Sequence, residues 1–306
     1  MISFTKLGKM GRLGNQLFQY AFLRTQAEKL NVKFYCPKWV GDDIFNLNDN
    51  SIRAKYPKNI TTEKFFAFNN INLIEKIGIQ DHNEISGYFE SEKYFEKNNV
   101  RKWYSFKPTK IASLKKKYNC IDFSRCVGLH LRFGDKISDK TIRRNYFVPR
   151  RRYYLAALNK ISNFEEVIVF SDDIELAKKY LSGLKIRFFF IEGNKDWEDL
   201  YLMSQCRDFI CGSSTLSWWG AWLNNNPYKK IYPCEGNFRP GSPFKNPNLI
   251  PKEWVKIRSL YPIIDNYFIV AFPGRRVERI MGKIGIYIRS KSPLIYKTLK
   301  KLIFTN

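Results

Sequence analysis

The strongest constraint in this chain is an alternation between residues 126 and 233. Short apolar runs at 126–131, 167–170, 187–191, 209–211 and 231–233 are separated by segments of helical character at 153–161, 174–184, 197–205 and 216–223. Strands spaced this widely cannot pair through tight hairpins. Each must return by a crossover, for which a helix is the usual means. The pattern predicts an α/β fold with a parallel sheet covered by helices on both faces. Ligands of such sheets sit at the carboxyl ends of the strands. Here those ends carry residues 130–135, 171–172, 192–193 and 212–215.

A shorter block of the same kind opens the chain. Residues 2–6 read as a strand, Gly8, Gly11 and Gly14 as a turn, about 15–30 as a helix and 32–36 as a second strand. Tyr20, Leu23, Ala27 and Leu30 share one face of that helix. Residues 37–118 hold aromatics, Asn-rich turns and a strand-like run at 85–89, with no topology legible. A length of 306 residues suits two compact domains. The basic stretch 101–118, seven Lys/Arg and no acid, reads as the linker between them. After about residue 261 the regular pattern stops.

The formal charge is +25, from 53 Lys+Arg against 28 Asp+Glu. That excess calls for an anionic partner, whether nucleic acid, membrane surface or a phosphate-bearing small molecule. Aromatic side chains make up 16% of the chain, which excludes disorder, collagen and coiled coil. The first residues do not read as a signal peptide, because Lys6 and Lys9 interrupt the apolar stretch. The longest uncharged run, 209–228, is too rich in Ser, Thr and Asn to span a bilayer. Six scattered cysteines without a CxxC pair, and only two histidines, fit neither a disulfide framework nor a zinc site. They read as reduced, mostly buried thiols of a cytosolic protein.

Several segments could carry chemistry. In residues 11–21, GRLGNQLFQYA, glycines precede a helix whose first N–H groups attract an anion. Asn15 could cap that helix and Gln16 could reach a ligand, or the segment is a plain strand-to-helix turn. In residues 130–135, HLRFGD, the two-residue spacing of His130 and Arg132 puts both on one strand face, with Asp135 close behind. The arginine fork suits a diphosphate; an Arg–Asp ion pair at a strand end is the plainer reading. Ser213, Ser214 and Thr215 form a phosphate cradle or an N-cap cluster. Trp218, Trp219 and Trp222 run with helical periodicity and read as core. Asp172 and Asp173 read as a helix N-terminus rather than a metal site, and no Asp-x-Asp occurs in the chain. Residues 136–152, seven Lys/Arg against one acid, supply phosphate contacts or a solvated surface.

Together these segments resemble the family 11 glycosyltransferases, the bacterial and animal α-1,2-fucosyltransferases. The family's G-G-x-G-N-Q-[LM]-F-Q-Y-A signature is matched by residues 11–21, with Arg12 at the second position. Its H-x-R-R-G-D motif is matched by 130–135, F-S-D-D by 170–173, and S-S-T-F-S-W-W-G-A-W-L by 213–223. The second arginine of H-x-R-R-G-D is Phe133 here. The resemblance implies a GT-B architecture, two Rossmann-like domains facing a cleft. Residues 1–118 would be the acceptor-side domain, 119–261 the GDP-fucose-binding domain and 262–306 a basic amphipathic tail. It implies inverting transfer of fucose from GDP-fucose to O2 of a terminal galactose, with GDP-fucose as co-substrate and neither cofactor nor metal. Arg132, His130 and Asp135 are the implied catalytic residues. Gly14, Asn15, Gln16, Arg132, Asp172, Ser213, Ser214 and Thr215 are the implied donor-binding set. The implied acceptor is a galactose-terminated oligosaccharide, possibly lipid-linked.

The tail carries nine Lys/Arg against two acids, and Ile280, Ile284, Tyr287 and Ile288 fall on one helical face. It suits docking to the anionic inner face of the cell membrane, or packing on the second domain. The rival class is a basic nucleic-acid-binding protein. It predicts an RNP, KH or helix-turn-helix signature, and none is evident.

Overall fold

Two parallel sheets carry the fold. The computed structural model describes residues 1–55, 64–66, 79, 81–146, 148–234, 238 and 246–257. The first sheet runs β2-β1-β4-β3, from β1 (Ile2–Ser3), β2 (Phe34–Tyr35), β3 (Lys64–Phe66) and β4 (Glu84–Ser86). The second runs β7-β6-β5-β8-β9, from β5 (Val127–Leu131), β6 (Val167–Ser171), β7 (Phe188–Phe190), β8 (Asp208–Ile210) and β9 (Ile231–Tyr232). Every pairing is parallel.

The second sheet follows the predicted alternation closely. Its crossovers are α7 (Arg151–Leu158), α8 (Ile174–Leu181), α9 (Asp196–Gln205) and α10 (Thr215–Leu223), while α1 (Leu13–Leu30) links β1 to β2. The chain steps outward from β5 through β6 to β7, then returns to place β8 on the other side of β5. Strand order therefore reverses beside β5, and a crevice opens at the carboxyl ends of β5 and β8. Residues 130–135 and 212–215 leave those two ends.

Four short helices, α2 (Val40–Ile44), α3 (Lys97–Trp103), α5 (Gly134–Ser138) and α6 (Lys140–Asn145), the longer α4 (Pro108–Lys117) and two 3-10 turns at Glu92–Tyr94 and Phe123–Arg125 complete the described elements. The stretch read as a linker, 101–118, thus holds the end of α3 and all of α4, with Phe106 between them bridging to Phe45. Pro108 stands at the first turn of α4, where its missing N–H costs nothing. The strand expected at 85–89 stops at Ser86.

Val127, Leu129, Leu131, Val167 and Val169 face one buried apolar cluster, and Ile168 and Phe170 the other. The second cluster runs from the sheet through α10 into α1 and the first sheet. The Phe18 ring lies 4.6 Å from Trp218 and 4.7 Å from Trp219. Phe95 stacks on Trp219 at 5.5 Å, and Trp222 Nε1 donates to Glu92 Oε2 at 3.0 Å. The tryptophans are core, as their spacing predicted. Each buries roughly 150–250 Å², about 4–6 kcal/mol of transfer free energy. Met1–Ser259 form one compact unit on this shared core. Five of the six cysteines are buried, Cys120 is exposed and all are free. Among the described residues no helix is long and apolar enough to cross a membrane. The tail 262–306 lies outside them.

Candidate active site

The glycine turn before α1 is built to hold its own shape. Gly8 and Gly11 adopt φ of +86° and +80°, the left-handed region that glycine enters at little cost. Gln16 Nε2 donates to Gly8 O at 3.3 Å and Gly11 O at 3.0 Å, and Gln19 Nε2 to Met10 O at 3.0 Å. Gln16 is therefore spent inside the turn. Arg12, not Asn15, is the N-cap residue, and it offers no side-chain cap. Asn15 sits in the first turn of α1, where its Oδ1 accepts from Thr215 Oγ1 at 2.8 Å. Gly14 lets the two helix starts meet: a Cβ there would fall 2.5 Å from Leu216 N. The N-termini of α1 and α10 therefore lie side by side. Ser214 caps α10, its Oγ accepting from Leu216 N at 3.2 Å.

At the end of β5, Arg132 is clamped by carboxylates. Its Nη2 donates to Asp135 Oδ1 at 2.5 Å and its Nη1 to Asp172. Asp172 also accepts the Phe133 N–H at 2.8 Å, and Arg12 Nη2 lies 3.9 Å from Asp135. The Phe133 ring turns away into the core, edge-on to Tyr180 at 5.6 Å. In this chain the position that departs from the family motif thus serves packing. His130 is 4% exposed and its Nδ1 has no hydrogen-bond partner. Burial, reinforced by Arg132 and Lys136, pulls its pKa down to about 3, so it is neutral at physiological pH.

Several residues of this site escaped the sequence reading, Lys136, Glu90 and Asp199 among them. Lys136, in α5, is buried and its Nζ donates to Ser213 Oγ at 2.6 Å and to Ser213 O. Burial brings its pKa down to about 8. Its position directly after HLRFGD is the signal in the sequence, submerged there in the basic run 136–152. Glu90 follows β4 in the unreadable region and gave no signal. Burial pushes its carboxyl up to about 7, against the pull of Lys136 and Asn246. Asp199, in the first turn of α9, is likewise raised to about 7, chiefly by burial, while Asn194 Nδ2 donates to it at 3.1 Å.

These groups surround one cavity of about 590 Å³. Gly14, Asn15, His130, Arg132, Asp135, Asp172, Ser213, Ser214 and Thr215 line it; Gln16 is not part of its wall. The basic excess is not concentrated there. Arg12, Arg132 and Lys136 face Glu90, Asp135, Asp172, Asp196 and Asp199 across the same space. Elsewhere in the basic run, Arg143 donates to Ile137 O and Arg151 to Ser182 O. An anion is favoured here by placement more than by net charge. The N-termini of α1 and α10 reach the wall with no acid in their first turns. Among the described residues no group of three His, Cys, Asp or Glu side chains could hold a metal ion.

The sequence profile of glycosyl transferase family 11 matches residues 4–258. The chain belongs to that family. An α-1,2-colitosyltransferase of Escherichia coli is 28% identical, covering 81% of this chain and 96% of the relative. The O-antigen biosynthesis glycosyltransferase WbnK of Escherichia coli is 35% identical over 103 residues, covering 31% of this chain and 33% of its own. In fold, this family 11 chain resembles apo POFUT1, with a TM-score of 0.51 at 13% identity over 76% of this chain and 97% of that one.

Proposed function

We propose that this family 11 enzyme transfers L-fucose from GDP-β-L-fucose to O2 of a terminal galactose in a cell-surface glycan such as an O-antigen repeat. One observation carries the reading: segments 11–15, 130–135 and 213–215, far apart in sequence, converge on a single cavity with two helix N-termini in its wall. A nucleotide diphosphate fits that wall. The departing diphosphate gains negative charge as the sugar C1–O bond breaks, and fixed donors aimed at it lower the barrier. Lys136, Arg132, the Ser213 and Ser214 hydroxyls and the α10 N-terminus are those donors here. The reaction inverts the anomeric centre and uses no metal. The two sheets are read as the halves of a GT-B architecture, residues 1–118 on the acceptor side and 119–261 on the donor side.

The colitosyl relative supports a second reading, with GDP-colitose as donor. Colitose lacks the 3-hydroxyl of fucose, so the two readings differ in one hydrogen-bonding group. A site that pairs with this hydroxyl rejects the deoxy sugar strongly, and an apolar one does not. The deciding experiment offers the purified protein both GDP-sugars and a panel of galactose-terminated acceptors in EDTA, reading the linkage by NMR. An α-1,2-fucoside is expected. Transfer from GDP-colitose alone establishes the second reading, and absence of transfer from any GDP-sugar refutes both. We further propose a cytoplasmic enzyme held on the inner membrane face by residues 262–306. Full-length protein that stays in the supernatant with anionic vesicles at low salt would refute that.

A further inference from the structure

The cavity wall holds a carboxylate, Glu90, contributed by the segment that follows β4, and we propose that it is the general base that takes the proton from the acceptor hydroxyl. The assignment rests on the reading of this cavity as a glycosyl-transfer site.

The backbone around Glu90 is fixed from both sides. Phe89, directly before it, has φ of +50°, a conformation that a bulky residue rarely adopts. Its ring is held by stacking on Phe22 at 3.8 Å and lies edge-on to Phe4 at 6.4 Å. Strained backbone of this kind persists where the surrounding packing enforces it, and it gathers at functional sites. Asn246 Nδ2 donates to the Glu90 carbonyl at 2.7 Å, and Ser91 Oγ to Asn248 O at 2.7 Å. The result is a carboxylate in a residue only 7% exposed that still lines the cavity.

The geometry of displacement then selects it. Arg132, Lys136 and residues 213–215 belong to the second-sheet wall, where the diphosphate leaves. An incoming hydroxyl must approach the anomeric carbon from the face away from the departing diphosphate, and among the described residues that line the cavity Glu90, on the segment after β4, is the one carboxylate contributed by the first sheet's side. The other carboxylates of the wall all come from segments of the second sheet, Asp196 and Asp199 from α9. Asp135 and Asp172 both clamp Arg132. His130 holds a proton only below about pH 3. Glu90, near 7, is matched to proton transfer at neutral pH. In the step, the acceptor oxygen bonds to C1 as the C1–O bond to GDP breaks, its electron pair going to the diphosphate. The hydroxyl proton passes to Glu90, which later releases it to water. The groups facing Glu90 are Lys136 of α5 and Tyr146 after α6, with Tyr88 on its own segment.

Glu90→Gln keeps the shape and removes the basicity. It is expected to lower transfer to the galactoside about 10²- to 10⁴-fold and to abolish the acid limb near pH 7, with GDP affinity within about threefold by calorimetry. Azide, an anion with no proton to lose, needs no base, so the variant should still form the glycosyl azide at near the wild-type rate. Glu90→Asp should recover part of the transfer, and Asp199→Asn should keep the acid limb. A Glu90→Gln enzyme within about fivefold of wild type overturns the proposal, being far less than a lost base costs. So does one that loses azide transfer and GDP binding together with galactoside transfer. A wild-type enzyme that transfers no sugar overturns the functional reading itself.

Discussion

Gly14→Ala tests how the cavity floor is assembled, because two effects of opposite sign compete at that residue. In an isolated helix the change would stabilise, by up to about 1 kcal/mol. Here the added Cβ would lie 2.5 Å from Leu216 N and 2.6 Å from both Thr215 C and Thr215 Oγ1. The atoms it meets are mainly backbone, which cannot rotate aside. Relieving the clash to an ordinary 3.4 Å moves the starts of α1 and α10 apart by about 0.9 Å. A shift of that size takes the 2.8 Å bond from Thr215 Oγ1 to Asn15 Oδ1 out of hydrogen-bonding range, a loss of about 1 kcal/mol. Overpacking adds about 1–3 kcal/mol. The balance is a destabilisation of about 1–3 kcal/mol, or a fall in Tm of about 2–10 °C in a unit of this size. Calorimetric unfolding gives the sign directly, and GDP titration of the same sample should show weaker binding, since Ser213–Thr215 move with α10. A Gly14→Ala protein with equal or higher Tm would refute the close approach of the two helices.

Arg132→Ala should reduce transfer about 10²- to 10³-fold, because it removes a donor for the diphosphate and leaves Asp135 and Asp172 facing it unneutralised; near-normal turnover would exclude a role in the transition state. Arg132→Lys should recover little of that activity, since one ammonium cannot bridge both carboxylates as the fork does. His130 makes stability depend on pH. With its pKa depressed to about 3, it stays neutral in the folded chain while the unfolded chain protonates it near 6.5, so its contribution is complete above about 6.5 and is lost progressively down to about 3. Between pH 7 and 5 the loss is about 2 kcal/mol. Urea unfolding at the two pH values should show it as a change of that size in the difference between wild type and His130→Gln, because Glu90 and Asp199, raised to about 7, act with the opposite sign in both proteins alike; a difference that does not change with pH would contradict the buried neutral imidazole.

Much of the second sheet was legible because its signals are local. The apolar runs mark β5 to β9 within two residues, and the spacing of Trp218, Trp219 and Trp222 marks a buried helix face, since periodicity depends only on neighbours along the chain. His130 and Arg132 fall on one face for the same reason. The first sheet was less readable. Its strands are two or three residues long, too short for a period to register, and β4 gives way to a turn at Phe89 that no propensity announces.

The sequence by itself determined the α/β class, the strand ends that meet at the cavity and the family. Only the tertiary structure decided which side chains meet there. Asn15 partners Thr215, 200 residues away, Arg132 is clamped by Asp172, 40 residues on, and Lys136 is buried against Ser213. Gln16, adjacent to Asn15, is absorbed by its own turn. The charge of +25 foretold an anion, yet carboxylates outnumber cations in the cavity wall. Net charge sums over the whole surface, whereas the field at a site depends on the few groups that folding brings together and on the helix ends it aims there.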